Sequence, residues 1–204
     1  MAKTLTELAN FYSSDKGTTF KEAHGYTHVY EQLLGRLRDE AIHLLEIGLR
    51  YDPYFENRDD YSSSPSVQMW LDYFPRATIY GVDIHDFSAL SSDRVKIFQG
   101  DQGDPAFLTG LADELPPLDA IIDDGSHASF HQQTSFKHLI HCVKPEGIYF
   151  IEDLHFQPPA LEAQLPKVAK TIDVLRSPVT KACFDVSLFN DDKLAAMRWL
   201  PGWL

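Results

Sequence analysis

Acidic residues recur where short apolar runs of this chain end. Glu46 lies in Leu45-Glu46-Ile47-Gly48, Asp83 closes Gly81-Val82-Asp83, Asp101 follows Gly100, and the pairs Asp123-Asp124 and Glu152-Asp153 end two further runs. Asp124, Glu152 and Asp153 together offer three oxygen ligands, a set that suits a hard cation such as Mg²⁺ with positions left open for water or substrate. Zinc would favour histidine and cysteine. His127, three residues after Asp124, is spaced to take a proton from a hydroxyl held at such a cation, because imidazole titrates near neutrality and the metal acidifies the hydroxyl. Any one of these acids alone reads as a loop carboxylate or a helix cap. Their recurrence at successive run ends argues for one shared rim.

The elements that must carry this rim follow from hydrophobic period. Strands are predicted at His43 to Gly48, Ala77 to Asp83, Arg94 to Gly100, Leu118 to Asp124 and Gly147 to Asp153. Helices are predicted between them at Ser66 to Phe74, Pro105 to Ala112 and Ser129 to Val143, the last burying Phe136, Leu139, Ile140 and Val143. Alternating strands and helices specify βαβ units and a parallel sheet, whose ligands bind beyond the carboxyl ends of the strands. Cys183 to Phe189 and Lys193 to Trp199 flank Asn190-Asp191-Asp192 as a hairpin would. The expected fold is α/β: a Rossmann-like, doubly wound, mostly parallel seven-stranded sheet with a terminal antiparallel hairpin.

Ahead of the sheet, Thr4 and Glu7 match a capping box, and Tyr30, Leu33, Leu34 and Leu37 mark one helical face. The polar stretch Ser13 to Tyr26 between them is expected to act as a lid, so residues 1–40 form an N-terminal helical lid and 41–204 one compact domain. Tyr51 to Pro65 reads as a long loop. Met69, Trp70 and Phe74 read as core, Trp199 and Trp203 as aromatics packing on their own sheet, and His131, His138 and His141 as residues on a helix surface.

Gly48 after the first strand and Asp83 after the second suit an adenosine cofactor, since glycine admits close backbone approach and the acid accepts both ribose hydroxyls. A nicotinamide cofactor calls for Gly-x-Gly-x-x-Gly. The chain instead reads Gly48-Leu49-Arg50-Tyr51-Asp52-Pro53, without the glycines that seat a pyrophosphate. A cationic, phosphate-free cofactor fits better.

Composition narrows the partners. With 204 residues, 44% apolar residues and 24% charged ones, the chain can bury one sizeable core. Its net charge of -12 opposes a nucleic-acid backbone or an anionic membrane. Two cysteines, a start without an apolar leader and no long apolar run lead us to expect a cytoplasmic protein with reduced thiols. The partner expected is a small molecule, and a homo-oligomer would be one way to complete its pocket.

Glu46-Ile47-Gly48, Gly81-Val82-Asp83 and Gly100-Asp101-Gln102 resemble the first three cofactor motifs of class I S-adenosylmethionine-dependent methyltransferases. The resemblance implies S-adenosylmethionine as cofactor, held by Glu46, Gly48, Ser66, Asp83, Ile84, Asp101, Gln102 and Asp123. Within it, Glu46 and Gly48 line the methionine end, Asp83 the ribose and Asp101 the adenine amino group.

A nearer resemblance runs from Asp15 to Leu154, on Asp15-Lys16-Gly17, His24-Gly25-Tyr26, Tyr30, Met69-Trp70, Tyr73-Phe74-Pro75, Asp123-Asp124-Gly125-Ser126-His127 and Ile151-Glu152-Asp153-Leu154. These are similar to motifs of the metal-dependent sugar O-methyltransferases of the mycinamicin and macrocin type. Ser64-Pro65-Ser66 departs from the Gly-Gly-Ser frequent there. The expected activity is Mg²⁺-dependent methyl transfer from S-adenosylmethionine to a hydroxyl of a sugar or glycosylated natural product, with Asp124, Glu152 and Asp153 on the metal and His127 as base. Other readings are methylation of a phenol or catechol, a metal-dependent oxygenase or hydrolase, and a non-catalytic cofactor-binding protein.

Overall fold

A computed structural model describes residues 2–20, 23–49 and 61–201. Most of the expected Tyr51 to Pro65 loop, and Trp203, lie outside the described residues. Strands β1 (His43–Ile47), β2 (Thr78–Asp83), β3 (Val95–Gln99), β4 (Leu118–Asp123), β5 (Val143–Ile151), β6 (Phe184–Phe189) and β7 (Leu194–Trp199) form one sheet in the order β3-β2-β1-β4-β5-β7-β6. The first five run parallel and β7 enters antiparallel between β5 and β6. This is the mostly parallel seven-stranded sheet expected, with its direction switch between β1 and β4. A crevice for ligands opens at such a switch point.

The strands are apolar on both faces because both are covered. Successive residues alternate between two cores: Leu44, Ile79, Ala120 and Phe150 face one, while Leu45, Val82, Ile121 and Ile151 face the other. Helices α1 (Leu5–Tyr12), α2 (Thr27–Leu34) and α3 (Pro65–Tyr73) fill the first core with Leu5, Leu8, Tyr30, Leu34, Met69, Trp70 and Phe74. Helices α4 (Pro105–Glu114) and α5 (Ser129–Leu139) cover the second with Leu108, Leu111 and Leu139. The N-terminal helices thus share one hydrophobic cluster with the sheet.

Local signals act as the sequence suggests. Thr4 and Glu7 form a reciprocal capping box on α1, Ser64 caps α3 ahead of Pro65, and Asp104 caps α4 ahead of Pro105. The tight end of the hairpin places Asn190, Asp191 and Asp192 at positive φ, a conformation these short polar residues tolerate better than most. Three further short helices, α6 (Pro159–Glu162), α7 (Thr171–Arg176) and α8 (Pro178–Cys183), lead into β6.

One expected boundary moves. Helix α5 stops at Leu139, a 3₁₀ turn spans Ile140–Cys142, and Val143 already belongs to β5, opposite Leu118. Pro145 two residues on cannot sit inside a helix, and a β-branched valine suits a strand. Among the described residues, no helix is long and apolar enough to cross a membrane.

Candidate functional site

The carboxyl ends of β1, β4 and β5 meet Lys16, Tyr26 and Tyr30 at one acidic cluster. Gly48 makes the close approach between β1 and β4: its φ is +84°, and a Cβ there would collide with the Asp124 carbonyl. Its amide donates to Val82 O at 2.8 Å and the Asp124 amide to Ile47 O at 2.9 Å. The loops after β1 and β4 are thereby locked together.

On the β1–β2 side, Glu46 is fully buried. Its Oε2 accepts from Ser66 Oγ at 2.8 Å, whereas Oε1 has no hydrogen-bond partner. Burial pushes its carboxyl up to about 7, despite the nearby Lys16 charge that opposes the shift. Asp83 accepts from the Leu49 amide and the His85 amide, both at 2.9 Å, so its carboxylate is held by the backbone. Ile84 beside it is 62% exposed, an apolar side chain on an open rim. Asp101 is exposed and accepts from the Gly103 amide at 2.7 Å.

Asp123 and Asp124 diverge. Asp123 is buried among Gln102, Ser135 and Tyr149, which donate to it at 3.1, 2.6 and 3.1 Å. Burial pushes it up to about 6. Gln102 in turn accepts from the Ser126 amide at 2.6 Å, fixing the loop that leads to His127. Asp124 points to the rim, where its carboxyl oxygen, one imidazole nitrogen of His127 and one oxygen of Asp153 all lie within 4.8 Å of one another. His127 Nε2 stands 3.7 Å from Asp153 Oδ2, and its Nδ1 is buried without a hydrogen bond. His127 and Asp153 both have positive φ, 60° and 52°, a strain tolerated where function requires the placement.

Glu152 turns the other way. Its Oε1 accepts from Tyr30 Oη and lies 2.9 Å from Lys16 Nζ, inside the protein. Sequence reasoning grouped it with Asp124 and Asp153, whereas the gathered trio is Asp124, His127 and Asp153. Burial, and then the Asp124 charge, hold the Glu152 carboxyl well above the usual range.

Several contributors were not assigned from sequence. Lys16, 1% exposed, pairs with Asp124 and Glu152 and lies 3.6 Å from Glu46. Burial would lower its ammonium, but these three carboxylates hold it well above the lysine range. Tyr26 Oη donates to Asp153 Oδ1 at 2.6 Å, with His24 stacked on the tyrosine ring at 5.1 Å. The recurrence of Lys16, Tyr26 and Tyr30 in one short segment was a signal, but no periodicity tied them to acids more than a hundred residues away. His131 corrects an expectation: it is buried, not on the helix surface, with Nδ1 2.7 Å from Ser126 Oγ. Helix α5 turns its polar face toward the strand-end loops, which a hydrophobic period cannot reveal.

The chain is 40% identical over 150 residues to the 8-demethyl-8-(2-methoxy-alpha-L-rhamnosyl)-tetracenomycin-C 3'-O-methyltransferase of Streptomyces olivaceus, covering 74% of this chain and 36% of that protein. It is 38% identical over 150 residues to the mycinamicin VI 2''-O-methyltransferase of Micromonospora griseorubida, again covering 74% and 36%. The chain therefore spans about a third of the length of the curated relatives it matches. The structure of the MycE methyltransferase from the mycinamycin biosynthetic pathway, in complex with Mg and SAH, superposes with a TM-score of 0.79 at 28% identity, covering all of this chain and 58% of that one. No family model matches. Joined to the β3-β2-β1-β4-β5-β7-β6 sheet, these matches make the chain a class I methyltransferase fold homologous to the tetracenomycin- and mycinamicin-type sugar O-methyltransferases.

Proposed function

We propose that the protein is an S-adenosylmethionine- and Mg²⁺-dependent O-methyltransferase acting on a sugar hydroxyl of a glycosylated small molecule. The observation that carries this reading is the gathering of Asp124, His127 and Asp153 within 4.8 Å at the strand ends, beside a buried carboxylate, Glu46, whose Oε1 accepts no hydrogen bond.

The residues fit both groups. Glu46 Oε1 is a buried acceptor suited to the cationic methionine end, Gly48 leaves room for close approach, Asp83 is held for ribose hydroxyls, and exposed Ile84 offers an apolar surface to adenine. Asp101 and Gln102 frame the adenine side, with Ser66 orienting Glu46 and Asp123 bracing Gln102. Asp124 and Asp153 would hold the cation, oxygen donors suited to Mg²⁺, and Glu152 would join them only by exchanging its Tyr30 and Lys16 partners for the metal.

When bound, S-adenosylmethionine supplies a transferable methyl group and the divalent cation makes a nearby hydroxyl more acidic. The chain's own residues do the rest. His127 takes the acceptor's proton at Nε2, and Asp153 Oδ2 at 3.7 Å stabilises the resulting imidazolium. Phe156, half exposed with its ring 5.9 Å from that of His127, offers the acceptor an apolar surface at the rim. Holding acceptor and donor in line contributes much of the acceleration.

The -12 charge favours a small neutral acceptor over nucleic acid or a membrane. The unpaired Cys142 and Cys183 suit a cytoplasmic setting. The test is an assay with S-adenosylmethionine, Mg²⁺ and rhamnosyl or related glycosides. Methylation lost with EDTA and restored by Mg²⁺ supports the reading, while transfer to catechols alone would reassign the acceptor.

A further inference from the structure

We propose that Lys16 is a positioning residue that serves as the resident counter-cation of the acidic rim, holding Asp124 and Glu152 in place and weakening the site's hold on a divalent cation through its own charge. The inference rests on Asp124 and Asp153 being cation ligands.

The geometry points to this role in three ways. Lys16 is 1% exposed, and its ammonium contacts Asp124 and Glu152 with Glu46 at 3.6 Å, so one positive charge answers two buried carboxylates and the part-buried Asp124. Asp124 is shared: it pairs with Lys16 on one side and joins His127 and Asp153 on the other. A cation on Asp124 would therefore stand within a few ångströms of the ammonium, close enough for strong repulsion at low dielectric. Finally, the Lys16 backbone is pinned. Its carbonyl accepts from the Thr27 amide at 3.1 Å, while the flanking Asp15 and Gly17 carbonyls accept from His24 and Gly25, both at 2.8 Å. Residues 15–17 are thereby tied to residues 24–27, so the ammonium is presented to the cluster from a fixed stretch of backbone, and cation binding and the placement of that ammonium are coupled, each affecting the other equally.

The experiment is calorimetric titration of Mn²⁺ and Mg²⁺ into the full chain, without cofactor, for wild type, Lys16→Met, Lys16→Arg and Asp153→Asn, with melting curves in EDTA. Lys16→Met is expected to melt lower in EDTA, to bind Mn²⁺ about tenfold more tightly than wild type, and to recover its melting temperature at saturating Mn²⁺. Lys16→Arg keeps the charge and is expected to stay within about threefold of wild type. If Lys16→Met folds only with cation, recovery of its circular dichroism below the wild-type half-saturation concentration counts in favour, and failure to recover counts against. Unchanged or weaker Mn²⁺ binding in Lys16→Met, while Asp153→Asn abolishes binding in an otherwise wild-type chain, overturns the role of Lys16 alone. Absence of binding in wild type and Lys16→Met alike overturns the metal reading as well.

Discussion

Tyr26 Oη donates a 2.6 Å hydrogen bond to Asp153 Oδ1 across 127 residues of chain. An N-terminal helix cap thereby orients a carboxylate of the candidate metal centre, leaving the other oxygen toward His127. Partners that orient a ligand in this way typically change affinity or activity by about 10- to 100-fold when removed. Tyr26→Phe should therefore raise the Mg²⁺ concentration for half-maximal activity about tenfold with the fold intact, measured by cation titration of turnover and by circular dichroism. An unchanged half-saturation would detach Tyr26 from the site.

His127→Ala should lower turnover by about 10²- to 10⁴-fold, the usual range for loss of a general base. Its effect on S-adenosylmethionine affinity should be within about twofold, because the imidazole lies on the Asp153 side of the rim. Steady-state kinetics with an accepted glycoside, paired with cofactor titration, separates the two. Loss of cofactor binding instead would move His127 out of the base role.

Asp153→Asn should leave the protein folded yet insensitive to Mg²⁺, since it removes one charge from the Asp124, His127 and Asp153 group. Activity in EDTA and in Mg²⁺ should become equal and low. A variant still stimulated many-fold by Mg²⁺ would locate the cation elsewhere.

Glu46 gives a pH dependence of defined sign. Its carboxyl is raised by burial from 4.5 to about 7, so the folded state keeps a proton that the unfolded state releases. That contribution is full below about pH 4.5 and is lost as pH rises through about 7, an effect on the order of 3 kcal/mol. Between pH 5 and 8 the urea midpoint of metal-free wild type should fall relative to that of Glu46→Gln, which has no carboxyl to titrate. A constant gap would show that Glu46 titrates normally.

Gly48→Ala should destabilise the chain by roughly 1–3 kcal/mol from backbone strain at positive φ, and by more where the new methyl group strikes the Asp124 carbonyl. Thermal melting in EDTA reads the loss. A melting point equal to wild type would mean that the β1 and β4 loops part easily.

Much of the fold was legible because its determinants are local. The apolar runs of β1, β2 and β4, the Pro105 helix start and the Asn190-Asp191-Asp192 turn each announce themselves within a few residues. The end of α5 was less legible, because Val143 continues a helical spacing, and the nearby Pro145 marks a stop without saying which residue then pairs with Leu118.

For the site, the sequence by itself determined that acids end the strands and that His127 follows Asp124. Tertiary structure decided which acid of each pair faces the rim. Asp123, the last residue of β4, turns to Ser135 and Tyr149 while Asp124 just past it meets His127; beyond β5, Glu152 turns to Tyr30 while Asp153, at positive φ, meets Tyr26. The same packing brought Lys16 into the cluster. A polar, glycine-flanked lysine carries no local mark of burial, since what buries it is a set of carboxylates supplied by distant strands.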